Sequence, residues 1–104
     1  MDQENDVITI VSRFLEELQR SGLRLAAAYL YGSYAAGAAR PDSDIDVALV
    51  SEDFHGDWLE DQRKVMDALL RCDARIEPVR FHPRQFQDEH PLVWEIKSKG
   101  IRLL

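Results

Sequence analysis

The sequence predicts a small α/β domain of the α+β kind, with a short mixed β-sheet flanked by helices on one side. Three observations carry that expectation. Two stretches repeat apolar residues at helical spacing, two short apolar runs and one alternating segment suit strands, and 104 residues suffice for one core. The whole chain, residues 1–104, is expected to be a single domain, too short for a second substrate-binding one.

Val7, Ile8, Val11, Phe14, Leu15 and Leu18 recur at three- and four-residue steps, so the first element is an amphipathic helix. Asn5 or Asp6 can cap its start, and Ser21-Gly22 ends it. Leu25 to Tyr31 is continuous apolar chain, too short for a good helix and suited to a strand covered on both faces. A Gly-Ser turn follows at once, and the small residues Ser33 to Ala38 suit a short helix whose N-terminus points at a ligand. Arg40-Pro41-Asp42-Ser43 breaks it. Asp44 to Val50 is the second strand, with Ile45, Val47 and Leu49 on one face and Asp46, Ala48 and Val50 on the other.

His55-Gly56-Asp57 supplies a turn and cap before a second amphipathic helix carrying Trp58, Leu59, Val65, Met66, Leu69 and Leu70. Arg75 to Phe81 fits a third strand, in which Arg75, Glu77, Val79 and Phe81 share a face. Pro78 directs it to a sheet edge or a bulge. Leu92, Val93 and Ile96, followed by Lys97, Lys99 and Gly100, suit a last short helix with a basic end and a glycine stop. Ile101 to Leu104 fits a short closing strand, and there is no repeat or low-complexity segment.

Charge narrows the range of partners. Thirteen Lys and Arg against 19 Asp and Glu give a net charge of -6, which disfavours a broad electrostatic grip on nucleic acid. A single cysteine, Cys72, excludes an internal disulfide and fits a reducing compartment as a buried, inert thiol. The acidic, polar start lacks the features of a signal peptide, and no apolar run is long enough to cross a bilayer, so the expected location is cytoplasmic. Self-association is left open.

The chemistry concentrates between Tyr31 and Val50. Gly32-Ser33 frees backbone N–H groups and a hydroxyl for an anion, because glycine lets the chain turn sharply and approach a ligand. Asp44 and Asp46, two apart on a strand, point the same way with Cα atoms roughly 6 to 7 Å apart, a spacing that admits a divalent ion. Gly32 and Gly37 have the glycine spacing of a P-loop, but Ala38-Ala39 stands where its lysine should be. The dinucleotide fingerprint fails as well, since Ser33-Tyr34 follows Gly32.

Gly32, Ser33 and Gly37, then Ser43, Asp44 and Asp46 entering a strand, resemble the pattern of minimal nucleotidyltransferases. These belong to the superfamily related to DNA polymerase beta and include the MntA-type antitoxins of HEPN toxin pairs. The resemblance extends over nearly all the chain, and it implies the polymerase beta-like nucleotidyltransferase fold. It implies that Asp44 and Asp46 bind Mg²⁺, and that Gly32, Ser33, Gly37 and Ser43 shape the nucleotide site, with Ser33 and adjoining N–H groups holding the terminal phosphates. A third carboxylate is implied too, placed at Glu77 with Asp73 as fallback.

Hard Mg²⁺ takes carboxylate and phosphate oxygens, and two such ions can stabilise attacking and leaving oxygens together. The implied reaction moves a nucleoside monophosphate, AMP from ATP, to a hydroxyl of a helical HEPN ribonuclease partner. The alternative is a noncatalytic subunit that acts by binding, favoured by the missing acceptor domain and by Ala36 where many relatives carry arginine; Arg40 is the candidate to replace that cation in the catalytic reading. Transfer to RNA or an antibiotic is a weaker third reading.

His55, His82 and His90 share no metal-ligand spacing with each other or with Cys72, so turn and surface roles are expected of them. Tyr29 and Tyr31 suit the core and Tyr34 a nucleotide contact, while Trp58 and Trp94 suit a partner face.

Overall fold

The computed structural model describes residues 3–54 and 58–104. Helix α1 runs Gln3–Arg20 and buries Val7, Val11, Phe14, Leu15 and Leu18. It starts before the expected cap, because Asn5 and Asp6 lie inside its first turns, where an acidic side chain favours the helix dipole. It ends as expected: Gly22 takes φ +97°, the Leu23 N–H reaches the Leu18 carbonyl and the Gly22 N–H the Gln19 carbonyl. That is the Schellman pattern, which satisfies carbonyls the helix would otherwise leave open.

Strands β1 (Leu25–Tyr31) and β2 (Ile45–Ser51) pair antiparallel, and β2 continues through α2 (Trp58–Cys72) to β3 (Ile76–Phe81), which lies parallel to it. Helix α3 (Pro91–Lys99) leads to β4 (Ile101–Arg102), antiparallel to β1. The sheet order is β3-β2-β1-β4. Pro78 therefore sits on an edge strand, where a missing N–H is tolerated. The His55-Gly56-Asp57 turn and the Trp58 side chain lie outside the described residues.

Both faces of the sheet are covered. Ala28, Leu30, Ile45, Val47, Leu49 and Ile76 pack under α1 and α2, together with Phe14, Leu18, Val65 and Leu69. Ala27, Tyr29, Ala48, Val50 and Phe81 face the other way, against Phe86 and the α3 residues Val93 and Ile96. The expectation of helices on one side alone is thus corrected. The strands are apolar on both faces, so leaving one bare would expose Val50, Ala48 and Tyr29 to water.

Helix α3 is set by its ends. His90 caps it, its Nδ1 accepting from the Leu92 N–H, and Pro91 occupies a first-turn position that needs no donor. At the far end a Cβ on Gly100 would lie 3.0 Å from the Leu30 carbonyl oxygen and closer still to that of Ile96. Glycine thus lets α3 finish tight against β1. His82 also serves a turn, its Nδ1 accepting from the Arg84 N–H.

At the other end of β1 and β2, Arg24 clasps Asp53 through its backbone N–H and guanidinium, each at 2.9 Å. Buried Ser51 donates to the Arg24 carbonyl at 2.6 Å. Among the described residues no helix is long and apolar enough to cross a membrane.

Candidate active site

Register assembles the site. β1 and β2 pair so that Tyr31, the last residue before the glycine turn, stands opposite Asp46. β2 and β3 pair so that Asp46 stands beside Glu77. Neighbours in register share a sheet face, so residues distant in sequence converge at one end of the sheet. Gly32 fixes the contact most tightly. Its φ is +75°, and a Cβ there would run into Oδ2 of Asp46 and lie 3.1 Å from Cγ. Only a residue without a side chain lets the turn and this carboxylate approach so closely.

The turn itself differs from the expected short helix. Residues 32–37 form consecutive turns, with the Ala36 N–H reaching the Gly32 carbonyl and the Ala38 N–H the Ser33 carbonyl. Positive φ at both Gly32 and Gly37 prevents regular helix at either end. The return from Gly37 to β2 is held by a polar clamp. Buried Tyr34 donates its hydroxyl to the Arg40 carbonyl at 3.1 Å, and Arg75 reaches both that hydroxyl and the Pro41 carbonyl. Ser43 Oγ accepts from the Arg40 N–H at 2.8 Å, closing the loop locally.

These contacts revise several expectations. Tyr34 is buried as a loop anchor, which favours a structural role over the nucleotide contact also weighed for it. Asp73, the fallback third acid, is ion-paired at 2.8 Å with Arg75, which holds its carboxyl below the ordinary range. Cys72 is half-buried and its thiol is pushed up, chiefly by burial, which suits an inert residue.

The electrostatics centre on Asp46. Its carboxyl is raised, first by partial burial and then by the negative charges of Asp44 and Glu77. Such a cluster favours a cation. Asp44 is exposed just before β2, and Glu77 is exposed on the edge strand. Among the described residues no three acidic, histidine or cysteine side chains close into a ready metal cage. The hard oxygen donors and the crowding of negative charge nevertheless suit Mg²⁺, which retains waters and binds through one or two carboxylates plus phosphate oxygens.

Beside the turn opens a cavity of about 420 Å³, lined by Tyr31, Gly32, Ser33 and Ala36 on one side and by Glu95 and Lys99 of α3 on the other. The Tyr31 hydroxyl is pushed up to about 12, first by burial, then by the charges of Asp46, Glu95 and Glu77, so it remains a neutral donor. Sequence reasoning missed Tyr31, Glu95 and Lys99 as site residues. The basic end of α3 was visible, but which sheet face α3 would cover was not. A second groove of about 370 Å³ lies between α2 and the β3 edge, lined largely by Val65, Met66, Leu69, Leu70 and Ile76. Glu77 borders this groove as well; its register with Asp46 and its effect on that carboxyl associate it with the acidic cluster.

Known proteins share this architecture. A candidate nucleotidyltransferase from Sulfolobus solfataricus superposes with TM-score 0.68 at 15% identity, covering 95% of this chain and 80% of that one. A toxin–antitoxin structure with AMP-PNP superposes with TM-score 0.64 at 22% identity, covering 98% and 73%. A MntA–HpeT toxin–antitoxin mutant, with two aspartates replaced by glutamate, superposes with TM-score 0.57 at 20% identity over the same shares. No curated protein matches the chain. Residues 11–98 match the model of the nucleotidyltransferase domain. Because that match runs from α1 through the turn and the acidic strand to α3, this chain belongs to the nucleotidyltransferase domain family.

Proposed function

We propose that this protein transfers AMP from ATP to a hydroxyl of a partner protein, as the antitoxin of a HEPN-type toxin. The observation that carries the reading is the seating of Gly32 against Asp46, which brings a phosphate-binding turn and an acidic cluster together. Gly32 and Ser33 would hold the terminal phosphates through backbone N–H groups and the Ser33 hydroxyl. Gly37 would keep the turn open, and Ser43 would support the site by holding the loop rather than by touching nucleotide.

Asp44, Asp46 and Glu77 would hold Mg²⁺, which when bound would neutralise phosphate charge and favour attack at the alpha phosphorus. Tyr31, kept protonated, would donate a hydrogen bond towards this acidic end. Positioning by the rigid sheet would supply much of the remaining acceleration.

The toxin–antitoxin neighbours support a toxin as partner. Exposed Leu59, Met66 and Leu70 on α2, and Trp94 on α3, leave apolar surface for a protein to cover. A second reading, inhibition by binding without catalysis, is favoured by Ala36, which puts no cation on the turn.

Incubation with alpha-labelled ATP, Mg²⁺ and the co-purifying helical protein separates the two. Label should move to the partner with native protein and not with Asp44→Ala plus Asp46→Ala. Stable association without transfer, unaffected by the double change, would favour the binding role.

A further inference from the structure

The cavity beside the turn joins two segments far apart in sequence, Tyr31 to Ala36 and the last two turns of α3. Its turn side carries no formal charge, because Ala36 is a methyl group and Ser33 a hydroxyl. Its helix side carries Glu95 and, four residues on and so on the same helix face, Lys99. Lys99 is the one cation among the described residues that line it.

The two lysines of the last turn are not alike. Lys97 is committed elsewhere: its ammonium donates to Asp88 at 2.7 Å and lies 4.9 Å from the centre of the Phe86 ring. Lys99 has no such bond among the described residues and projects from an exposed position beside the cavity. An ammonium on a flexible four-carbon stem binds phosphate as a point charge and needs no fixed fork geometry. The surroundings call for one. Asp46, Asp44, Glu77 and Glu95 place negative charge around this end of the sheet, and a polyphosphate entering it needs positive charge in addition to N–H groups.

We propose that Lys99 grips the triphosphate chain of the nucleotide, supplying from α3 the positive charge that Ala36 leaves out of the turn. The proposal rests on the reading of the Gly32-Ser33 turn as a triphosphate site. It gives α3 a second task besides covering the sheet: its length and its Gly100 stop carry an ammonium to the cavity wall.

The test titrates the full chain calorimetrically with Mg-ATP and, separately, with Mg²⁺ and inorganic tripolyphosphate. Native protein is compared with Lys99→Gln, Lys99→Arg and Asp46→Asn. Lys99→Gln should weaken both ligands about tenfold, as loss of a charge-assisted contact does, with an unchanged melting temperature. Lys99→Arg, which keeps the charge, should restore most of the affinity. Native-like binding by Lys99→Gln, with binding lost in Asp46→Asn, would overturn the role of Lys99 while leaving the triphosphate site standing. Weakened ATP binding with tripolyphosphate unaffected would also overturn it, since the contact would then lie elsewhere on the nucleotide. Failure of the native chain to bind either ligand would refute the site, and Lys99 with it.

Discussion

At the scale of single residues, the two glycines of the turn separate backbone need from close approach. Gly32 and Gly37 have nearly the same φ, +75° and +72°, but a Cβ at Gly37 would meet nothing within 4 Å whereas one at Gly32 would strike Asp46. Alanine at either position should cost about 1 to 2 kcal/mol of stability from the left-handed backbone. Only Gly32→Ala should also displace the carboxylate, and a misplacement of that kind is expected to slow transfer about a hundredfold. Thermal melts and single-turnover AMP transfer on both variants check this; equal activity in the two would mean the proximity has no catalytic use. Removing the charge of Asp46 itself, as Asp46→Asn, should slow transfer by about a thousandfold, on the scale of a lost electrostatic contact in an active site.

At the scale of elements, the loop between turn and acids depends on β3's leading edge. Arg75 bridges Asp73, the Tyr34 hydroxyl and the Pro41 carbonyl, so the clamp spans three segments. Because Arg75 depresses the Asp73 carboxyl in the folded state, the pair's stabilisation is present above the unfolded carboxylate value and fades as pH falls below about 4. Melting curves should show native protein above Asp73→Asn at pH 7, with the gap closing in acid; a gap independent of pH would deny the ion pair its role. Helix α3 offers a second test. Gly100→Ala would force a methyl group against the Ile96 and Leu30 carbonyls, and overpacking of this sort should cost about 1 to 3 kcal/mol, read as a fall of several degrees in melting temperature.

Elements were legible where a pattern acts locally. The α1 stop at Ser21-Gly22, the limits of β1 and the edge position of Pro78 follow from periodicity and glycine or proline chemistry, whereas β2 and β3 begin one residue later than expected and β4 ends two residues earlier. The coverage of the second sheet face was implied by Ala48 and Val50 opposite Leu49, but the sequence does not say which helix supplies it. Likewise the Gly-Ser and Asp-x-Asp spacing pointed to two segments that the register brings together. Tyr34's burial and the arrival of Lys99 depend on tertiary packing across tens of residues, which no local spacing encodes.

At the scale of the whole molecule, an acidic chain is asked to bind an acidic ligand. A net charge of -6 repels ATP at long range, and a raised Asp46 beside two further carboxylates repels it at short range. Divalent cation is therefore expected to be a condition of binding, the nucleotide entering with part of its charge offset by the ion. Calorimetric titration of ATP, with Mg²⁺ and then with excess chelator, on native protein and on Asp44→Ala plus Asp46→Ala, tests this most directly. Native protein should take up ATP only with Mg²⁺, and the folded double variant should take up none. Equal uptake in chelator, or by the variant, would contradict a metal-held triphosphate at the β1–β2 turn.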